Sequence, residues 1–151
     1  MAKDDRLRIP IDKPYLDAVG LAVISFARLE WMAVYVVQRI GENGHNSATN
    51  PKYVGTVSAK TAGQIANDLL LAADGITDVA LRNTVKLTAE KFKELTKRRN
   101  DLMHANPGTS KNNEQRLFRH GDEWTIPDIN DLSDEFTECN GELNDLYYKV
   151  L

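Results

Sequence analysis

Positions 14–40 most constrain what this chain can fold into. Tyr15, Val19, Ala22, Phe26, Leu29, Ala33, Val36 and Ile40 recur at spacings of four and three, the period of one helix face. A second row, Leu16, Val23, Ala27, Val34 and Val37, is apolar as well, so the buried arc is wider than a surface helix needs. Such a helix is either central to its fold or half of an interface between two copies. Because four helices leave one side of it wet, the pattern predicts a homodimer.

Three further amphipathic stretches follow. Gly41, Gly44 and Pro51 end the first helix, since glycine closes helices and proline cannot continue one. Ser58 is the expected cap of a second helix that turns Ala62, Ile65, Ala66, Leu69, Leu70 and Ala73 inward and stops at Gly75. Thr77 or Asp78 caps a third, striped by Leu81, Val85, Thr88, Phe92, Leu95, Arg99 and Leu102, and Pro107 stops it. The fourth begins at Asp128 and aligns Ile129, Leu132, Phe136, Cys139, Leu143, Leu146 and Val150, with early acids suited to the positive end of the helix dipole. Between the third and fourth, positions 115–126 alternate weakly around His120-Gly121-Asp122, which predicts a long loop or a short β-hairpin. The expected fold is all-α, a four-helix bundle.

Length and composition restrict the function classes. A chain of 151 residues, 42% hydrophobic and 27% charged, is expected to be a single domain over 1–151. Cys139 is the only cysteine, and the first residues show no apolar core or small-residue cleavage site, so a reducing cytoplasm is expected. Arg28 and Glu30 interrupt the most apolar run, so no membrane span is expected and spanning is ruled out on this reading. A net charge of −3 means that nucleic acid would have to be bound by a local patch rather than by bulk charge. That patch has candidates. Lys86, Lys91, Lys93, Lys97, Arg98 and Arg99 lie on the third helix, with Lys111, Arg116 and Arg119 after it, while the fourth helix carries seven acids against Lys149. The asymmetry either steers a polyanion to one face or holds the two helices together.

Two residues break the apolar stripes. Glu30 occupies the second row of the first helix, and Arg99 sits between Leu95 and Leu102 on the third. A lone buried charge is costly, so each is the other's obvious partner, and the pair is either a structural lock or part of a site. His104 tilts the balance toward a site. Five residues past Arg99 it lies about 140° round an ideal helix, whereas Asn100 and His104 share a face. Arg99 and His104 converge only through the long arginine stem, an irregular helix end or a two-fold axis. A histidine that moves a proton and a guanidinium that grips a phosphate are the two parts that metal-free phosphodiester cleavage requires. No zinc-like Cys/His spacing, phosphate-binding glycine loop or glycine-flanked serine nucleophile is present, so neither metal nor cofactor is expected. His45, in a Gly/Asn loop, and His120, in a turn, are read as solvent-exposed.

The segment Arg98-Arg99-Asn100-Asp101-Leu102-Met103-His104-Ala105-Asn106-Pro107 resembles the HEPN superfamily: an arginine, a polar residue directly after it, and a histidine four residues beyond that near a helix end. Phe26-Ala27-Arg28-Leu29-Glu30-Trp31 resembles the acid-bearing first helix of many members, and Gln115-Arg116-Leu117 with Trp124 their post-motif loop. The resemblance implies a dimeric helical bundle whose motif helices meet in a cleft and, in active members, a metal-independent endoribonuclease. Carried over, Arg99 contacts the scissile phosphate, His104 is the general acid or base, Asn100 orients His104 or binds phosphate, and Glu30 orients Arg99. Arg98 substitutes if Glu30 occupies Arg99, and Lys97, Arg98, Lys111, Arg116 and Arg119 hold RNA. The family also includes toxins silenced by an antitoxin protein, phage-defence components and noncatalytic dimerisation or nucleotide-binding modules.

Overall fold

A computed structural model describes residues 9–43 and 52–151; the expectations at Gly44, His45 and Pro51 lie outside them. The fold is mainly helical with a small antiparallel sheet. Its elements are α1 (Lys13–Glu42), a 3₁₀ helix (Tyr53–Ala59), α2 (Ala62–Asp74), α3 (Val79–Met103), β1 (Asn106–Thr109), β2 (Gln115–Arg119), β3 (Asp122–Trp124), α4 (Ile126–Asp145) and a π-helical turn (Leu146–Val150). The four α-helices close a ring in which α1 packs on α2 and α4, and α3 on the same two.

Side-chain caps set where the helices start. Asp12 accepts the Tyr15 N–H ahead of α1, and Asp78 accepts that of Leu81 ahead of α3. Ser58, the expected cap of α2, lies instead within the 3₁₀ helix; Thr61 takes the role because Gln64 three residues on completes a reciprocal capping box. Thr125 caps α4, which begins two residues before Asp128 with Pro127 in its first turn, where a missing N–H costs nothing. α3 stops at Met103, ahead of Pro107.

The core is the inner face of every helix. Phe26 stacks on Phe92 with centroids 6.1 Å apart, and Phe136 meets it edge-on at 5.1 Å. The second row of α1 departs from expectation. Val34 and Val37 are buried, but Leu16, Val23 and Ala27 are exposed, and so are Leu21 and Ile24 farther round the helix. By length and composition α1 also meets the requirement for crossing a membrane, so Arg28 and Glu30 do not by themselves exclude a span; a core helix passes the same test, and α1 has a fully packed face.

The expected hairpin exists and carries a third strand, formed by residues expected to end the third helix and enter the loop. His120 and Gly121 both have positive φ, 53° and 84°, the turn that joins two right-twisted strands, here β2 and β3. β1 pairs with β2 from Asn106↔Phe118 to Thr109↔Gln115. Gly108 is required there, because a Cβ would lie 2.9 Å from the Phe118 ring. Tyr15 ties the sheet to α1: its hydroxyl donates to the Trp124 carbonyl at 2.6 Å and accepts the Leu117 N–H at 3.0 Å.

Candidate active site

Glu30, Arg99, Asn100 and His104 line one open cavity of about 560 Å³ within a single chain. α3 positions the last three. Asn100 and His104, four residues apart, share a helical face, and His104 is the C-cap, where the chain leaves the helix. Its main chain is held at both ends: its N–H donates to the Asn100 carbonyl at 2.9 Å, and its carbonyl accepts Arg119 Nη1 at 3.3 Å. The imidazole itself is exposed. The irregular helix end and the long stem of Arg99 bring the two functional groups to the same space.

Arg99 does not meet Glu30 in an ion pair. Among the described residues no carboxylate lies within 4 Å of it. Its guanidinium rests over the Phe26 ring, 4.4 Å from the centroid, and its buried Nε has no hydrogen-bond partner among those residues. An arginine stacked on a ring and free of carboxylates keeps its donor fork for a ligand. Glu30 is half-buried; burial raises its carboxyl above the ordinary range, and the nearby Arg99 charge offsets part of that rise. A second recess of about 170 Å³, walled by Val23, Phe26, Ala27 and Met103, shares Glu30 and Arg99.

That state of Glu30 gives a stability test. Since its folded pKa is raised, the folded chain holds the proton at pH values where the unfolded chain has released it, and wild-type stability falls as pH rises from the unfolded value near 4.5 to the folded one. Glu30→Gln removes this loss. Its stability relative to wild type is expected to increase with pH across that window and then level off, read by urea denaturation at a series of pH values. A variant less stable than wild type at neutral pH would mean that ionised Glu30 is bound to Arg99 as a lock.

The first turn of α2 forms the facing wall through Thr61, Ala62 and Gly63. None of the three broke a pattern in the sequence. The signal was present only as the Thr-x-x-Gln cap and as Gly63 on an otherwise good helix. Among the described residues, and apart from its chain neighbours and its own helix backbone, only Thr61 Oγ1 lies within 4 Å of where a Cβ of Gly63 would sit, so that backbone stands open. Helix N-termini favour anions, and this one joins Arg99 at the cavity.

The other expected RNA contacts are dispersed. Arg116 is 6% exposed; its guanidinium reaches Asp12 at 2.5 Å and Glu114 at 2.9 Å and covers the Tyr15 ring. It fastens the sheet to α1 and, buried and paired with two carboxylates, does not offer itself to RNA as expected. Arg98 pairs with Glu135 of α4, and Lys91 with Glu142 at 3.3 Å, so part of the charge asymmetry holds α3 against α4. Arg98 and Arg119 line a separate cavity of about 350 Å³ with Asp101, His120, Trp124 and Asp131. Lys97 and Lys111 are exposed and line neither cavity. Among the described residues no cluster of three or more His, Cys, Asp or Glu is placed to hold a metal ion. Comparison of the chain with family models, curated proteins and solved structures finds no match.

Proposed function

We propose that this chain is a metal-independent endoribonuclease that works as a homodimer. The observation that carries the reading is one open cavity that joins an exposed histidine to an arginine free of carboxylates. RNA supplies the nucleophile. The 2′-hydroxyl loses its proton and attacks the adjacent phosphorus; the P–O5′ bond breaks, the 5′-oxygen takes a proton, and the products are a 2′,3′-cyclic phosphate and a 5′-hydroxyl. His104 moves one of these protons. Arg99 holds the phosphate and stabilises the charge that develops on it, Asn100 orients the ring or the phosphate, and Glu30 sets the field in which Arg99 sits. The first turn of α2 adds anion-favouring character on the opposite wall.

The bare flank of α1 supports the dimer. Leu16, Val23 and Ala27 are exposed and continue into the lip of the smaller recess at Val23, Ala27 and Met103. A second copy seated there would wall the cavity and bring its own His104 toward the reacting group for the other proton transfer. A toxin silenced by an antitoxin, or a phage-defence nuclease, is the setting that the HEPN resemblance suggests for such an enzyme.

A second reading rests on the stacking of Arg99 over Phe26: a noncatalytic module in which Arg99 is packing. One experiment separates the two. Incubating the purified chain with a labelled RNA pool in EDTA is expected to give fragments ending in 2′,3′-cyclic phosphate, none from DNA of the same sequence, and none from a folded Arg99→Ala variant. No cleavage by the wild-type chain, with Arg99→Ala markedly destabilised, would favour the module.

A further inference from the structure

We infer that the groove between α1 and α4 is a subsite for one nucleobase of a single RNA strand, an inference that rests on the ribonuclease reading above. The groove encloses about 230 Å³ and is lined by Arg28, Trp31, Met32, Tyr35, Asn140 and Asn144. Its chemistry is that of a planar heteroaromatic ring with a hydrogen-bonding edge. Trp31 is 46% and Tyr35 37% exposed, and the two rings meet edge to face at 5.8 Å, so a ring face remains open for stacking. Exposed aromatic faces beside a cation are how proteins hold single-stranded nucleic acid with little regard to sequence.

The far wall reads the edge. Asn140 and Asn144 lie one turn apart on α4 and so point the same way. Each amide offers a donor and an acceptor, the complement of a base edge, and neither side chain has a hydrogen-bond partner among the described residues. Charge supports the same occupant. By helical arithmetic Asn130, Thr137, Asn140 and Asn144 fall within about 80° of one another, while the seven acids of α4 all lie outside that arc. The acidic helix therefore turns an uncharged polar stripe toward the groove, and Arg28 faces it from α1 with no carboxylate within 4 Å among the described residues. A phosphate next to the bound base meets a guanidinium rather than an acid.

The groove adjoins the flank assigned to the second copy but is centred elsewhere: Arg28, Met32 and Tyr35 lie roughly 120° round α1 from Leu16, Val23 and Ala27, and Trp31, about 60° from Leu16, stands at the boundary. Glu30 and Trp31 are neighbours in sequence yet line different cavities, so the base held here lies outside the scissile dinucleotide. It determines how well a strand is held, not how fast the bond breaks.

The test uses a fluorescein-labelled, 2′-O-methylated RNA hexamer pool, which binds but cannot be cleaved, read by anisotropy at fixed salt. Trp31→Ala is expected to weaken binding by about 5- to 150-fold, the loss of one stacked base, and separately the double variant Asn140→Ala/Asn144→Ala is expected to weaken it by a comparable factor, the loss of the hydrogen bonds to the base edge. With cleavable RNA, both raise KM and leave kcat unchanged. All three side chains are partly or largely exposed, and circular dichroism melts check that the variants fold. Wild-type affinity in both variants overturns the subsite, and if the unmodified RNA is still cut to cyclic phosphate the nuclease reading stands without it. Failure of the wild-type chain to bind the hexamers overturns the subsite as well, with the cleavage assay judging the nuclease separately. Trp31 emission that follows protein concentration and ignores RNA would make the groove a protein interface, and so would also overturn the proposal.

Discussion

His104→Ala is expected to slow RNA cleavage by about 10²- to 10⁴-fold, the usual worth of a positioned general acid or base, and to leave the melting temperature close to wild type. Both halves follow from the position of the residue. The imidazole is exposed, so little packing is lost. The contacts that hold position 104 belong to its main chain, the N–H to Asn100 and the carbonyl to Arg119, and alanine keeps them. Single-turnover cleavage in EDTA beside a thermal denaturation curve reads the two quantities. A rate within about threefold of wild type would remove His104 from the proton transfers, since even weak general catalysis exceeds that. Arg99→Lys is a useful companion: it preserves the charge and sacrifices the planar fork that grips a phosphate and lies flat on Phe26, so a large loss of rate there separates bidentate geometry from charge alone.

How far the site was legible follows the range of the interactions that build it. The helices were legible because their stripes are local. The four-and-three spacing from Tyr15 to Ile40 is satisfied within one element, and every residue of that first row except Val19 is buried. The hairpin turn was legible at His120-Gly121, where two adjacent residues carry the whole signal. β1 was not, because Asn106-Pro107-Gly108-Thr109 has no alternation, and its glycine answers to Phe118, ten residues away. Glu30 and Arg99 stood out as charges in apolar stripes, and they do share a cavity. The neighbour of Arg99 was misread, however, because an aromatic ring in the same first-helix segment, Phe26, offers a stacking surface that a charge-pairing rule overlooks. Arg116 failed for the opposite reason. Its partner Asp12 lies 104 residues away, and only the folded sheet brings them together.

Phe136→Ala is expected to lower stability by about 3–5 kcal/mol, the cost of truncating a fully enclosed phenylalanine, out of a total that is about 5–15 kcal/mol for ordinary domains. Phe136 is 0% exposed and meets Phe26 edge-on. Phe26 stacks on Phe92 and also lies beneath Arg99, so three helices and the candidate phosphate-binding group share one aromatic cluster. A void beside Phe26 removes both the burial of Phe136 and the edge contact that fixes the Phe26 ring, and neighbouring side chains collapse into such voids only in part. Urea denaturation measures the energy, and Phe136→Leu, which leaves a smaller void, should cost less. Because Arg99 stacks on Phe26, cleavage by Phe136→Ala should fall even at temperatures where the variant remains folded. A cost below about 1 kcal/mol would place the site outside a well-packed interior, and unaltered cleavage in a destabilised variant would show that Arg99 is held in place without Phe26.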